Sequence, residues 1–190
     1  KGVYRSLDGG NAWRRLDVTD EDVQFWSLVV HPQRPDTLIA GSAPVGFFRS
    51  DDGGEHWRRC GPLHPDRYHL KFGHSRAMRV AFHPTRPDIL YCAAEINGFY
   101  VSEDGGESWR LEARGIEALA RLPHLQNRIE TDDLSEGMYD AHAVCTSPAA
   151  PDSVFYVCRL GLFESSDLGR SFRDLEVGRQ APFSYSRDMR

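Results

Sequence analysis

The chain has 190 residues and a formal net charge of −5. That acidity argues against a nucleic acid or an anionic membrane surface as partner, since either would need a basic face, and no apolar run approaches the roughly 20 residues of a membrane span. With 40% hydrophobic and 27% charged residues, there is enough apolar side chain for a packed core.

The first predicted element is a strand at Val3–Tyr4, followed by a tight turn from Asp8 to Gly10 and a second strand opened by Trp13. Asp suits such a turn because its carboxylate accepts from nearby backbone, and Gly because it takes positive φ. The phrase reads Gly, two apolar residues, any, Ser, any, Asp, any, Gly, any, any, aromatic. It is written four times, at Gly2 to Trp13, Gly46 to Trp57, Gly98 to Trp109 and Gly161 to Phe172. Asp8, Asp52, Asp104 and Asp167 are expected to lock the corners, and Trp13, Trp57, Trp109 and Phe172 to pack beside them. The fourth copy departs from the rest, with Leu168 for the first Gly and Phe172 for Trp.

A second phrase precedes copies two to four: His31-Pro-Gln-Arg-Pro-Asp36, His83-Pro-Thr-Arg-Pro-Asp88 and Ser147-Pro-Ala-Ala-Pro-Asp152. Strand-like runs flank each one. They are Trp26 to Val30 and Thr37 to Ala40, Met78 to Phe82 and Ile89 to Ala93, and Ala143 to Thr146 and Val154 to Cys158. Each full unit therefore has four strands, A to D, with proline between strands, where it is tolerated. Units of roughly 40 to 50 residues with four short strands predict an all-β chain, a partial β-propeller.

The turn phrase resembles the Asp box, or BNR repeat, of sialidases, sortilin-type receptors, xyloglucanase-type glycoside hydrolases and a photosystem assembly factor. The run from His31-Pro through Ala40-Gly-Ser42 to Gly46-Phe-Phe-Arg-Ser-Asp-Asp-Gly-Gly54 and Trp57 is closer to tandem, one-box-per-blade members than to sialidases. The resemblance covers nearly the whole chain except residues 60–75 and 113–139. It implies that the boxes are corner braces away from any active site.

Residues 24–59, 76–111 and 140–175 are expected to form three complete blades, and residues 2–16 strands C and D of an earlier one. Residues 187–190 are expected to begin another strand A, because Ser186 to Arg190 echoes Ser75 to Arg79. A propeller closes with about four to eight blades. The chain therefore reads as one partial propeller domain over 1–190. Its remaining blades would come from a longer chain, or its open edges would be buried by self-association.

The extra length between repeats falls between strand D and the next strand A, on the face opposite the boxes, which suggests a binding face there. At the strand A starts sit Gln24, Arg76 and Asp140, with Arg187 from the echo. Two residues on, and on the same face by strict alternation, are Trp26, Met78 and His142. Gln24, Trp26, Arg76 and Arg187 are the candidate ligand contacts, with arginine supplying forked donors. The loop from Leu111 to His142 is acidic, and Glu136, Asp140 and His142 are its candidate catalytic groups, because glycoside hydrolysis needs two carboxyls several ångströms apart. Two functions follow: a scaffold that binds a glycan or a protein through this face, or a glycoside hydrolase of sialidase- or xyloglucanase-like kind. A sialidase-like site would imply three gripping arginines, and strict alternation puts Arg79 on the opposite strand face from Arg76.

Cys60, His64, His69 and His74 are zinc ligand types, but their spacing matches no metal signature, and no metal is assigned. The turn at Ser50-Asp-Asp-Gly lacks the ligand series of a calcium loop. No phosphate loop or dinucleotide motif stands out, and no cofactor is expected. Cys60, Cys92, Cys145 and Cys158 show no pairing pattern, which favours a reducing, cytoplasmic compartment.

Overall fold

The computed structural model describes residues 2–66, 73–126, 137–180 and 188–189. Two strands, β1 (Val3–Arg5) and β2 (Arg14–Leu16), form the first sheet. The second sheet runs β3 (Gln24–Val30), β4 (Leu38–Ala43), β5 (Phe47–Ser50) and β6 (Arg58–Arg59). The third runs β7 (Arg76–Phe82), β8 (Leu90–Glu95), β9 (Gly98–Ser102) and β10 (Arg110–Leu111), and the fourth β11 (Ala141–Ser147), β12 (Ala150–Cys158), β13 (Gly161–Ser165) and β14 (Arg173–Asp174). Every neighbouring pair is antiparallel and sequential, so each sheet is a meander. The all-β expectation of four-stranded, blade-like sheets is met. A helix α1 (Arg114–Ala120) and a 3-10 turn (Pro123–Leu125) follow β10, and a short α2 (Val177–Gln180) follows β14.

Each corner is built by one serine and one aspartate. Ser102 Oγ accepts the Gly106 N–H at 2.8 Å and donates to Asp104 Oδ1 at 2.8 Å, and Asp104 Oδ1 also accepts the Ser108 N–H at 3.0 Å. The same three bonds recur around Ser6, Ser50 and Ser165. Burial acts to raise the Asp104 and Asp167 carboxyls, but the bonds to the turn outweigh it, and all four aspartates lie below the ordinary carboxylate range. The indole N–H groups of Trp13, Trp57 and Trp109 donate to the carbonyls of Gly10, Gly54 and Gly106, at 3.0, 3.0 and 3.2 Å. Gly106 has φ of +89°, and a Cβ there would lie 2.9 Å from Ile39 of the preceding sheet. Glycine is thus required twice over, by conformation and by contact.

The sheets pack face to face through the aromatics of the second, third and fourth corners. Trp109 stacks on Phe47 of the preceding sheet, with ring centroids 3.8 Å apart and planes within 11°. Phe172 meets Phe99 edge-on at 5.4 Å. An arginine before the box serine adds a polar clamp across the seam. Arg5 donates to the Gly53 carbonyl and to Glu55 of the next corner, both at 2.5 Å. One sheet on, Arg49 donates to the Gly105 carbonyl at 2.7 Å and lies 3.3 Å from Glu107. Between the third and fourth sheets the pair is gone: Val101 stands at the arginine position and Arg170 at the glutamate position.

The turns between strands A and B of the second and third sheets are braced by histidine. His31 Nδ1 accepts the N–H groups of Gln33 and Arg34, at 3.1 and 3.0 Å, while its Nε2 faces Arg34 Nη2 at 3.0 Å. His83 repeats this with Thr85 and Arg86. Both rings are buried. Because Nδ1 of each ring accepts backbone N–H groups, a second ring proton placed there would break those bonds and find no acceptor.

One feature of the strands departs from simple alternation. Each strand A carries a bulge at its start, between Phe25 and Ser27, Ala77 and Arg79, and Ala141 and Ala143. The bulged residues are Trp26, Met78 and His142. The extra residue resets the parity of the strand. Arg76 pairs with Glu95 and Arg79 with Ala93, two positions of one strand face, so Arg76 and Arg79 lie on the same side of the sheet, contrary to the alternation-based expectation. Asp188 and Met189 belong to no strand; Asp188 Oδ1 lies 2.6 Å from Arg79 Nη2.

Ser102→Ala should lower the unfolding free energy by about 1–3 kcal/mol, because it strands the buried Gly106 N–H. Ser6→Ala, at an exposed corner that water can reach, should cost less; urea titration of both variants checks this. Burial, first, and the neighbouring arginine push the His31 and His83 imidazoles below their ordinary value of 6.5. A lowered folded value means the stabilisation is complete above 6.5 and is lost as pH falls below it. The urea midpoint should therefore drop between pH 7.5 and 5.5. A His31→Asn/His83→Asn variant, whose amide oxygens can still accept, should show a flatter profile.

Candidate functional site

The starts of β3, β7 and β11 lie side by side at the end of the sheets opposite the boxes. Gln24 is exposed and pairs with Ala43. Trp26, thrown outward by its bulge, is 42% exposed, and the Arg76 guanidinium carbon sits 4.8 Å from its ring centroid. Arg76 Nη1 is held by Glu95 Oε2 at 2.5 Å. Glu95 in turn forms a backbone bridge with Asp140. Asp140 Oδ2 accepts from Arg159 Nε at 2.9 Å, and its Oδ1 lies 3.3 Å from His142 Nε2. Three of the residues singled out from sequence, Trp26, Arg76 and Asp140, thus join one chain of contacts running across three sheets, with His142 beside them. Glu136 and Arg187 lie outside the described residues.

Glu95 and Arg159 complete this network, and no motif flagged them. Each ends a strand B or follows one, directly opposite a strand A start in the antiparallel ladder. The signal was available in the pairing register: whatever faces Arg76 and Ala141 across the sheet must stand at the B–C turns.

Asp140 is buried, which by itself would raise its carboxyl pKa, but His142 and Arg159 outweigh that and hold it below the ordinary range. A general acid for glycoside hydrolysis needs the opposite, a raised value. Its two oxygens are also already engaged.

The long insertion after β10 is not confined to the face of this mouth. A Cβ built on Gly115 of α1 would lie 2.6 Å from the Gly169 carbonyl oxygen and 2.8 Å from Phe172 Cδ2, so the helix begins against the corner of the fourth sheet. Its other end returns toward the mouth, where Tyr139 Oη donates to Glu117 Oε1 at 3.1 Å. The expectation that the added length serves one face alone is corrected accordingly: the outermost strand is only two residues long, and the chain leaving it reaches the neighbouring corner at once.

The histidines and cysteine of the 60–75 loop part company. Cys60 is buried, and burial pushes its thiol up to about 11. His64 packs between Phe47 and Tyr100, with ring centroids at 5.9 and 4.7 Å, and His74 Nδ1 lies 2.8 Å from Asp66. His69 lies outside the described residues. Among the described residues no group of three or more His, Cys, Asp or Glu is placed to hold a metal.

Comparison with solved structures places this architecture. The chain is similar to an ancestral GH74 enzyme, with a TM-score of 0.66 and 15% identity over 92% of this chain and 21% of that one. It is similar to YCF48 from Cyanidioschyzon merolae at a TM-score of 0.53 and 14% identity, over 84% of this chain and 39% of that one. The GH74 xyloglucanase from Xanthomonas campestris gives 0.52 and 16% identity, over 80% and 23%. At these identities the likeness is one of fold, the β-propeller. The chain spans about a fifth to two fifths of the length of these proteins. No curated protein sequence matches it. The family model described as Sortilin-Vps10 (sortilin, neurotensin receptor 3) matches residues 1–138, and the chain belongs to that family.

Proposed function

We propose that this chain is a binding segment of a β-propeller, and that it recognises a glycan or protein ligand at the mouth formed by the starts of β3, β7 and β11. The observation that carries the reading is the presented pair of Trp26 and Arg76. An indole left 42% exposed, with a guanidinium 4.8 Å from its centroid, offers an apolar platform beside forked donors. The Glu95 carboxylate holds the guanidinium in place before any ligand arrives, which lowers the ordering cost of binding. Gln24 adds an amide at the rim.

Recognition is favoured over catalysis because, among the described residues, the carboxylates of the mouth are committed to ion pairs. Glu95 is engaged by Arg76, and Asp140 by Arg159 and His142. Such pairs position donors well and move protons poorly.

Trp26→Ala should weaken binding by about tenfold, the equivalent of 1.4 kcal/mol, while leaving the circular dichroism spectrum and urea midpoint near those of the parent. Isothermal titration against an oligosaccharide panel and a denatured-polypeptide panel is the measurement. Unchanged affinity in Trp26→Ala would remove the mouth from the reading. Turnover of a β-glucan or sialoside, abolished by Asp140→Asn, would replace binding with hydrolysis.

A further inference from the structure

The seam between the third and fourth sheets differs from the two earlier seams at four positions. Val101 stands where the earlier seams have Arg5 and Arg49, Arg170 where they have Glu55 and Glu107, Leu168 where they have glycine, and Phe172 where they have Trp. Read alone, these changes look like decay of a repeat. The packing gives them a purpose. Val101, Ile116, Leu119 and Tyr139 belong to one buried cluster, and Leu168 and Phe172 pack against it. The ionic clamp of the earlier seams has been exchanged for an apolar wall, and α1 lies against that wall.

The fit is close. Gly115 has no room for a side chain, since a Cβ there would meet the Gly169 and Arg170 carbonyl oxygens at 2.6 and 3.2 Å and Phe172 at 2.8 Å. In the other corners the carbonyl equivalent to that of Gly169 accepts an indole N–H. Phenylalanine has no such donor and is smaller than tryptophan, so the substitution vacates both the bond and the space.

From this seat α1 reaches the mouth. Ile116 Cδ1 and the Tyr139 ring both close on Gly98, where a Cβ would lie 3.4 and 2.6 Å from them. Tyr139 Oη donates to Glu117, and Tyr156 Oη donates to the Met138 carbonyl at 2.6 Å. The next residue is Asp140, the acceptor for Arg159 and neighbour of His142. We infer that the fourth corner is a socket for α1, and that α1 seated there sets the position of Asp140, so that Phe172, Gly115, Glu117 and Tyr139 are positioning residues for the mouth. The inference rests on the mouth being the ligand site only for its meaning, not for its geometry.

The test reads the His142 imidazole by NMR titration of the intact chain. Its protonation midpoint depends on how near the Asp140 carboxylate stands. Gly115→Ala should unseat α1, and Tyr139→Phe should cut the link from helix to mouth. Both should move the His142 midpoint by roughly half a pH unit or more. Trp57→Phe, an equivalent change at a distant corner, should not move it. If Gly115→Ala fails to fold, Leu168→Gly, which strips the wall without adding volume, takes its place. Midpoints matching the parent in both variants would overturn the inference, and a shift in Tyr139→Phe alone would overturn the socket. Because the titration needs no ligand, its failure would leave the binding reading standing, and a failed binding assay would leave this result intact.

Discussion

A serine hydroxyl, buried at three of the four corners, is the constraint on which the rest depends. It accepts a glycine N–H on one side of the turn and donates to an aspartate on the other, and that aspartate then caps a further N–H. The N–H groups of the turn are thereby bonded from within, while the Gly53 and Gly105 carbonyls take an arginine of the preceding sheet. This is why the outer strand can be as short as two residues and still be held. The indoles of Trp57 and Trp109 bond their own corners by the N–H and turn their rings toward the preceding sheet.

Stacking of such units is usually read as a sum of similar interfaces. Here the interfaces are of two chemical kinds. The first two described seams combine aromatic packing with an arginine that bonds a carbonyl and a glutamate of the next corner. At the third, the contact between corners is apolar and augmented by a helix, while Thr146 Oγ1 still donates to the Phe82 carbonyl across the seam at 2.8 Å. Exposed ion pairs contribute little to stability. The Arg49 clamp is an exception, since its side chain is 9% exposed and its guanidinium also bonds a carbonyl.

The mouth shows how a repeat can generate difference. The bulge at the start of each strand A is common to all three full sheets, and it places one residue of each outside the regular pleat. That residue is Trp26, Met78 or His142. A shared backbone irregularity thus presents an aromatic, a thioether and an imidazole at matching places. Bulges are known for re-aiming side chains in this way, and here the repeated geometry leaves Trp26 exposed, Met78 half-buried and His142 buried.

The four-stranded units, their order, the corner residues and the strand A starts were all legible in the sequence, because they depend on local rules: turn chemistry, apolar runs and the recurrence of a phrase. The linkage of Trp26, Arg76 and Asp140 through Glu95 was not legible, and neither was the part played by Arg159, because those contacts join residues whose approach is set by sheet register. The bulge was hidden for a related reason: adding one residue to a strand leaves no mark in composition, yet it reverses every later side-chain direction. The same holds for Phe172 and Leu168. By themselves they are departures from a pattern, and only the packing of Gly115 against them distinguishes a repeat that has eroded from one reshaped to hold a helix.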